Sequence, residues 1–518
     1  MPRIPLIMAA LACAAPGLAQ VTPAITWQQA FGGTANETAI SITATADGGC
    51  IVAGGSYSDD GDVGDNNGSG DVWLLKLDDV GTLQWEKNYG GTSVDAARDV
   101  IQTSDGGYLV TAFSSSNNGD VSLNLGEQDV WVLKLNAQGN IEWQVVHGGS
   151  AQEQPWTATE TTDGYLIGGT TGSTDGDVAG HHGAFDYWVF KLDLSGNFLW
   201  QRCYGGTASE QLYDVLALSD GGFMLAGMAF SNDGDVSLYA DNSDLWLVRI
   251  DAVGEIQWQR CYGGTAWDIA RTVEATSDGG FLACGETRSD DGMVTGHHGQ
   301  EDLWVIKVDS LGTLQWQRAI GGSEAETIGK AAQLPDGRYA LVAETWSADG
   351  DLTGNYGLAD VMVAMLDASG DLQWNMNLGG SHHDRGRAIT TDDDGAVLLA
   401  ATTNSSDGDV TGYHLPYSQS NEDYWVVKLN TGATSTPEPT APDVQLAPNP
   451  ASDQLVLSAD PALLGAHYAV VDPMGRVWHS ASIQAARTRV DVMALPAGMY
   501  LLTISSADGM RTLRWVKE

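Results

Sequence analysis

Basic residues are scarce in this chain of 518 residues, which holds 24 Lys and Arg against 67 Asp and Glu. The net charge at pH 7 is −43, and most of the imbalance lies before residue 431, because acids and bases are close to balance in the remaining tail. Nucleic-acid binding needs a basic surface facing the phosphate backbone. The composition therefore argues against nucleic acid as a partner and favours cations or a high-salt setting.

Cysteine is also rare, with five residues in the whole chain. One of them lies in the apolar N-terminal run, and no two of the others show the Cys-x-x-Cys spacing; these others are Cys50, Cys203, Cys261 and Cys284. The spacing argues against a zinc site or a redox pair. We expect four free, buried thiols.

Long apolar runs are absent except at the N-terminus. Met1-Pro2-Arg3 precedes an apolar run from Ile4 to Leu18, and Ala19 ends a small-residue cleavage site. This pattern predicts a secretory signal peptide over residues 1–19; Cys13 leaves a lipoprotein signal open, although the apolar stretch before it is short. No later run reaches the roughly 18 residues that span a bilayer, so we expect no transmembrane segment in the mature chain.

Residues 20–430 carry one pattern seven times, a Trp followed by Gly-Gly-Thr or Gly-Gly-Ser. The tryptophans are Trp27, Trp85, Trp143, Trp200, Trp258, Trp316 and Trp374, so the unit is about 58 residues long. A fixed period of this length indicates a repeat architecture, in which each unit packs against its neighbours.

One unit contains four extended segments and no amphipathic helical pattern. In the second unit these segments are 98–103, 108–113, 129–135 and 141–145. The third is apolar on both faces and the fourth alternates, as expected for an inner and an outer strand. Four antiparallel strands per repeat are typical of a propeller blade.

The ends of the array predict a closed ring. Residues 25–31 read as a fourth strand without the first three, and residues 423–430 read as a third strand without a fourth. Pairing these two strands completes a seventh blade and removes the exposed edges of an open array. The sequence therefore predicts an all-β fold whose main domain is a seven-bladed β-propeller.

The loop between the second and third strands is acidic and repeated. It contains Asp-Gly-Asp and a further Asp just before the third strand, whereas Asn118 and Met293 each replace one carboxylate. Clustered Asp around a Gly can supply oxygen ligands to calcium, although the spacing is not that of an EF-hand; Asx-turns are the alternative. The calcium candidates are Asp60, Asp62, Asp71, Asp175, Asp177, Asp186, Asp233, Asp235, Asp244, Asp349, Asp351, Asp360, Asp407, Asp409 and Asp423.

Paired histidines and recurring tryptophans are the other candidate ligand contacts. The pairs beginning at His181, His297 and His382 fit polar loop tips better than a transition-metal site, which would recruit ligands across blades. We expect the third-strand tryptophans to be blade core rather than sugar-stacking surfaces; they are Trp73, Trp131, Trp188, Trp246, Trp304 and Trp425.

The tail differs from the repeats. Residues 431–442 are rich in Pro, Thr and Ala and predict a linker. Residues 443–518 then carry four motifs in order, whose residues are Pro448, Asn449, Pro450; Asp472, Gly475, Arg476; Leu495, Pro496, Gly498, Tyr500; and Val516, Lys517.

This stretch resembles the C-terminal (type A) sorting domain of type IX secretion system cargo. The resemblance implies a small immunoglobulin-like β-sandwich that engages the type IX machinery, directs export across the outer membrane and is usually removed on arrival. The repeats resemble a group of secreted bacterial propeller proteins. We therefore expect a secreted or outer-surface location.

The function predicted from the sequence is non-enzymatic. The export signals, the acidic loops and the chemical similarity of the units favour a binding, adhesion or scaffold protein with a glycan or protein ligand. The alternative is a secreted hydrolase acting on polysaccharide or glycan, but glycosidases need two opposed carboxyl groups, and no pair stands out. A purely structural surface role is a further alternative, and we expect a monomer. The longer loop 411–422 and the segment 382–385 are the expected breaks in the repeat.

Overall fold

The computed structural model describes residues 23–431 except 65, 238–241, 353 and 415–420, and residues 444–517 except 448–452, 460–462, 464–465, 472–475, 486, 497 and 507–508. The chain divides into two compact units, residues 1–433 and 434–518. The predicted signal peptide and most of the predicted linker lie outside the described residues. The described residues contain no helix with the length and apolar character that a membrane span requires.

The first unit contains seven four-stranded antiparallel sheets. Six of them are formed by consecutive strands: blade 1 by β2–β5 (Glu37–Ala44, Cys50–Ser56, Asp71–Leu77, Leu83–Tyr89), blade 2 by β6–β9 (Asp95–Gln102, Tyr108–Ser114, Asp129–Leu135, Ile141–His147), blade 3 by β10–β13 (Glu153–Thr161, Gly164–Thr171, Asp186–Asp193, Phe198–Tyr204), blade 4 by β14–β17 (Glu210–Ala217, Phe223–Ala229, Asp244–Ile250, Ile256–Tyr262), blade 5 by β18–β21 (Asp268–Ala275, Phe281–Thr287, Asp302–Val308, Leu314–Ile320) and blade 6 by β22–β25 (Glu326–Gln333, Tyr339–Thr345, Asp360–Leu366, Leu372–Leu378).

Blade 7 is built from both ends of the unit. Its first three strands are β26–β28 (Asp384–Thr391, Val397–Thr403, Asp423–Asn430), and its fourth is β1 (Ala24–Phe31). β1 pairs antiparallel with β28, with Gln28 opposite Val427. The first strands of neighbouring blades touch each other around the whole ring, including β26 and β2, so they line a central channel. The structure confirms the predicted seven-bladed propeller.

The second and third strands of each blade are buried on both faces because the blades stack against one another. The third-strand tryptophans are fully buried, as predicted. Each indole N–H is satisfied within its blade; Nε1 of Trp131, for example, donates to Oε1 of Gln144 on the fourth strand at 2.8 Å. The repeated fourth-strand Trp packs on the next blade instead, where the indole of Trp27 lies against Gly81 and donates to the carbonyl of Asp79 at 3.0 Å.

The four cysteines of the propeller are buried and free. Cys50 and Cys284 lie in second strands, whereas Cys203 and Cys261 lie in fourth strands. Burial raises the pKa of the Cys50 thiol to about 12. Such thiols pack as small apolar groups and are poor nucleophiles at neutral pH.

Every first strand contains a β-bulge about halfway along its length. In β2 the pairing with β3 shifts between Ala39 and Ser41, so Ile40 is the extra residue. The same shift occurs in the other six first strands, and in β22 it spans two residues, Ile328 and Gly329. A bulge bends the strand and re-aims one side chain. It therefore gives each blade one irregular position beside the channel.

The second unit is a small two-layer β structure. One sheet has the order β29-β30-β33 (Val444–Ala447, Gln454–Ala459, Arg487–Asp491), and the other has the order β32-β31-β34-β35 (Val477–Ser482, His467–Val471, Gly498–Ser506, Gly509–Lys517). Leu455 and Val490 of the first sheet share a buried core with Tyr468 and Leu502 of the second. The two packed sheets confirm the predicted sandwich.

Candidate functional site

The first aspartate of each acidic loop holds the neighbouring Gly-Gly-Thr or Gly-Gly-Ser segment. The backbone N–H of Thr34 donates to Oδ1 of Asp60 at 2.7 Å, and its hydroxyl donates to Oδ2 at 2.9 Å. The same backbone contact occurs at Asp175, Asp233, Asp291, Asp349 and Asp407. These carboxylates are acceptors in a loop-to-loop contact that we call the latch.

Asn118 shows that the latch does not need a carboxylate. Its Oδ1 accepts the backbone N–H of Thr92 at 2.9 Å, and its Nδ2 donates to the Thr92 hydroxyl at 3.0 Å. An amide thus reproduces the geometry in blade 2. This favours turn chemistry as the reason for the repeated Asp.

The second aspartate of the loop supports the first glycine of the pair. Oδ2 of Asp62 accepts the N–H of Gly32 at 3.3 Å, while the N–H of Asp62 donates to the Gly32 carbonyl at 2.9 Å. Equivalent side-chain contacts occur at Asp120, Asp177, Asp235 and Asp409.

The third aspartate begins the third strand and is buried. In blades 3, 5 and 7 it accepts a hydrogen bond from a loop histidine, with 2.9 Å between His182 Nδ1 and Asp186 Oδ2. His298 and Asp302, and His414 and Asp423, form the same contact. These histidines brace the loop against a buried carboxylate.

The structure adds a ring of carboxylates that the sequence reasoning missed. Each first strand begins with a buried acid: Glu37, Asp95, Glu153, Glu210, Asp268, Glu326 or Asp384. In blade 1, Oε2 of Glu37 accepts the N–H of Gly33 at 2.9 Å, and Oε1 accepts the hydroxyl of Ser56 at 2.9 Å. The regular recurrence of an acid five residues after the first Gly was the available signal.

This ring explains the first glycine of the repeated pair. A Cβ on Gly90 would lie 2.3 Å from Oδ1 of Asp71 and 2.9 Å from Oδ2 of Asp95. The glycine backbone thus fills the space between two buried carboxyl groups, and the same arrangement occurs at the other six blade junctions. Burial, assisted by Asp95 and Asp120, raises the pKa of Asp71 to about 6.

Calcium at the acidic loops stays a prediction. Among the described residues, no group of three or more His, Cys, Asp or Glu side chains is placed so that it could hold a metal ion. The first aspartate of each loop faces the latch, and the third faces the glycine. The candidates are therefore repeated at each junction but are not gathered into a cage.

The chemically distinctive site lies in the channel, at the bulges. A cavity of about 180 Å³ is lined by Ile40, Arg98, Trp156, Tyr213, Arg271, Ile328, Lys330 and Arg387. Six of these are bulge residues from six different blades, Ile328 belongs to the two-residue bulge of blade 6, and Lys330 follows it. All eight side chains are half-buried, so solvent reaches them.

The aromatic and cationic side chains of this site stack on one another. The guanidinium of Arg98 lies 4.5 Å from the ring centre of Trp156 and 5.0 Å from that of Phe113. The guanidinium of Arg271 lies 4.3 Å from the ring centre of Tyr213. Trp156 and Tyr213 meet edge to face with 5.2 Å between ring centres. Cation–π contacts of this kind fix a guanidinium in place.

Two glutamates of the second strands form ion pairs with arginines of first strands. Oε2 of Glu286 lies 3.1 Å from Nε of Arg271, and Oε1 of Glu344 lies 3.1 Å from Nε of Arg385. Burial raises the pKa of Glu344, while Arg387 and Arg385 oppose that shift.

The backbone of blade 6 is unusual at this site. Ile328 has φ of +58°, which is the only positive φ among the described non-glycine residues. A β-branched residue in this region is strained. The N–H of Ile328 donates to Oε1 of Glu286, which holds the strained turn in place.

The ammonium of Lys330 interacts electrostatically with two half-buried acids of first strands, Asp99 and Asp214. Burial lowers the pKa of the Lys330 ammonium, and the carboxyls of Asp99 and Asp214 oppose that shift. Burial raises the pKa of Asp214 to about 7. Asp99 accepts the Ser41 hydroxyl at 2.8 Å and the N–H of Ala158 at 3.0 Å, which ties three blades together.

The predicted breaks in the repeat do not contain this site. Arg385, in the segment 382–385, forms ion pairs with Glu344 and with Glu422 at 3.3 Å; residues 415–420 of the longer loop lie outside the described residues. Alignment of the seven repeats would have found the channel site, because the third residue after the first-strand acid reads Ile, Arg, Trp, Tyr, Arg, Gly, Arg.

The sorting-domain motifs are partly described. Leu495 packs on the core of the sandwich, and the Tyr500 hydroxyl donates to the carbonyl of Pro496 at 2.9 Å. Gly498 pairs with Lys517, and the neighbouring position pairs with Val516. Arg476 lies 4.0 Å from the ring centre of Trp478. Pro448, Asn449, Pro450, Asp472 and Gly475 lie outside the described residues.

Comparison with known families identifies the second unit. Residues 445–518 match the secretion system C-terminal sorting domain. The chain is cargo of the type IX secretion system. The sorting domain indicates delivery to the cell surface or the extracellular space and interaction with the type IX machinery. No curated protein matches the chain.

The chain is also similar to several solved structures. The Neurospora crassa Pan2 WD40 domain is 10% identical, with 76% of this chain and 89% of that chain covered at a TM-score of 0.41. BBS1N, in complex with ARL6DN, is 8% identical, and the alignment covers 80% of this chain and 98% of that chain at a TM-score of 0.43. A Synechocystis apocarotenoid oxygenase mutant is 15% identical, and the alignment covers 66% of this chain and 72% of that chain at a TM-score of 0.36. These values carry no inference about ligand or activity.

Proposed function

We propose that this type IX cargo is a non-enzymatic binding protein that acts in adhesion or as a scaffold and holds its ligand in the central channel. The observation that carries the proposal is the loss of the repeat at the bulge positions. Residues that serve blade stacking recur in almost every blade, whereas the bulge residues change chemical class from blade to blade. Such variation around one cavity is expected of residues that bind a ligand and not of residues that stabilise blade packing.

The composition of the cavity supports binding of an anion. Ligand sites are concave and combine apolar walls with a few convergent polar groups. Here Arg98, Arg271, Arg387 and Lys330 gather in a chain of net charge −43. Because the whole chain repels anions and salt screens that repulsion beyond about 8–10 Å, we expect recognition to act at short range.

A secreted hydrolase acting on polysaccharide or glycan is the second candidate. The buried Glu344 carboxyl, with its raised pKa, has the property that a general acid requires. Against this assignment, Arg385 already contacts Glu344, and Arg271 already contacts Glu286. Glu286 therefore fits the role of holding the cavity residue Arg271, and Glu344 fits that of holding Arg385, which is outside the cavity lining.

The test is a glycan array with the full-length secreted protein, followed by turnover assays on the bound glycans. We expect hits that disappear in Arg98→Gln and Arg387→Gln and are not cleaved. They should persist in Arg318→Gln, because Arg318 lies on the outer strand β21 of blade 5. Hits that survive both channel variants would overturn the proposal. Cleavage that stops in Glu344→Gln would establish the hydrolase instead.

A further inference from the structure

We infer that the channel ligand is a sugar with a single carboxylate, presented as the terminal hexuronic acid of a glycan. The inference rests on the proposed binding function and names the chemistry that the channel would select.

Three arginines approach the cavity from different sides. Arg98, Arg271 and Arg387 belong to blades 2, 5 and 7, none of which are neighbours. A guanidinium fork matches the planar geometry of a carboxylate. The Nε atoms of Arg98 and Arg387 are buried and have no hydrogen-bond partner among the described residues. These Nε atoms have almost no accessible surface, so a carboxylate in the cavity would be held by the terminal N–H groups of the guanidinium forks.

The remaining wall fits a sugar ring. Trp156 and Tyr213 present aromatic surface beside the arginines, and Ile40 and Ile328 add apolar surface. Aromatic residues with one polar end suit ligands that are part apolar and part hydroxylated. The Tyr213 hydroxyl donates to Oε1 of Gln211, so its ring position is fixed.

The cavity suits one small ring with one negative charge. Its volume of about 180 Å³ is enough for one sugar ring, and we expect the rest of a glycan to lie outside it. Glu286 compensates Arg271, and Asp99 and Asp214 lie near Lys330. Because acids already offset part of the positive charge, a monoanion fits better than a phosphate dianion.

Calorimetric titration of the full-length secreted protein tests the inference. The probes are disaccharides of one linkage ending in glucuronate, galacturonate or glucose, together with free glucuronate and inorganic phosphate. We expect at least one uronate-terminated disaccharide to bind at least tenfold more tightly than the glucose-terminated one and than phosphate. Arg98→Gln and Arg387→Gln should each weaken uronate binding at least tenfold, and Arg318→Gln should leave it unchanged.

The outcomes separate this inference from the proposed function. Equal binding of uronate and glucose ends, tighter binding of phosphate, or no binding of either uronate end would overturn the acidic-sugar assignment. Array hits on neutral glycans that vanish in Arg98→Gln would keep the channel as a binding site and reject only the acidic sugar. Uronate binding with unchanged affinity in both arginine variants would reject the channel as the binding site. Tighter binding of the free acid than of the disaccharides would reject a glycan terminus.

Discussion

The guanidinium of Arg98 lies 4.5 Å from the ring centre of Trp156, the bulge residue of the next blade. This contact joins two irregular positions rather than two repeated ones. It places a cation against an aromatic face inside a half-buried channel.

Replacing Trp156 by Leu should destabilise the propeller by about 1–2 kcal/mol, because the cation–π contact and the edge-to-face contact with Tyr213 are each worth about 0.5–1.5 kcal/mol. Urea unfolding followed by circular dichroism measures the change. Trp267→Leu is the matched control, since Trp267 is partly exposed and Arg288 lies 5.2 Å from its ring centre. An equal loss in both variants would contradict the special role of the channel pair.

The latch predicts a difference between two substitutions of Asp60. Asp60→Asn should leave the melting temperature almost unchanged, because Asn118 accepts the equivalent backbone hydrogen bond in blade 2. Asp60→Ala should lower stability by up to about 1 kcal/mol, because hydrogen bonds of the Gly-Gly-Thr segment are lost. Differential scanning calorimetry in calcium and in EDTA makes the measurement. A loss that appears only in calcium, for Asn as well as Ala, would instead support a cation at the loop.

The glycine between the buried carboxyl groups gives a steric prediction. Gly90→Ala should cost about 1–3 kcal/mol or more, since its Cβ would meet Asp71 and Asp95 below 3 Å. Gly106→Ala is a useful comparison because its φ is +82° and a Cβ there meets no atom within 4 Å. Backbone strain alone costs about 1–2 kcal/mol. Chemical denaturation should rank Gly90→Ala as more damaging, and the reverse order would reject the steric account.

The carboxyl groups at the blade junctions predict a pH dependence. Burial raises the pKa of Asp71, Asp129 and Asp423 to about 6 and that of Asp360 to about 7. Between these values and the unfolded pKa near 3.8 the folded chain binds more protons, so stability should rise as the pH falls from 8 to about 5.

Below about pH 4 the trend should reverse. The hydrogen bond from Lys134 lowers the pKa of Asp105 to about 2. Hydrogen bonds from Thr276 and then from Lys307 lower the pKa of Asp278 to about 2, so protonation of either carboxylate weakens stabilising contacts. Scanning fluorimetry from pH 3 to 8 should show a maximum near pH 4–5. Asp360→Asn should reduce the gain between pH 8 and 5, and a melting temperature that falls steadily over that range would contradict the prediction.

Removal of residues 434–518 should block delivery to the surface and medium, because the sorting domain lies there. Cell fractionation and intact-mass analysis make the measurement, and the full chain should show a mature N-terminus at Gln20 if residues 1–19 are cleaved. A truncated chain that reaches the medium in normal amounts would contradict the assignment. Its melting temperature serves as the control for folding of the propeller.

The fold was readable from the sequence because its signals recur. The Trp period, the alternation of the outer strand and the incomplete first and last units predict the seven blades, and each has a local physical cause. The boundaries were less accurate: the first strand of blade 2 begins at Asp95 rather than Arg98. A charged residue at the start of a strand resembles a loop residue in the sequence. Asp95 is buried in the fold because Gly91, Ser114 and Ser116 donate hydrogen bonds to its carboxylate.

The channel site was not readable in the same way. Arg98, Trp156, Tyr213 and Arg271 lie one each in four consecutive repeats and become neighbours only when the blades pack against one another. Their shared position also depends on a bulge, which strand alternation does not predict. The acidic loops drew attention because they repeat, and their repetition reflects blade junctions.

The strand Asp423–Asn430 completes the ring shortly before the sorting domain begins. Because proteins are synthesised from the N-terminus, the strand that completes the last blade has already been synthesised when the sorting domain is made. Fragments ending early in translation lack both together. The order of segments along the chain therefore ensures that a chain with the export signal also contains every strand of the propeller.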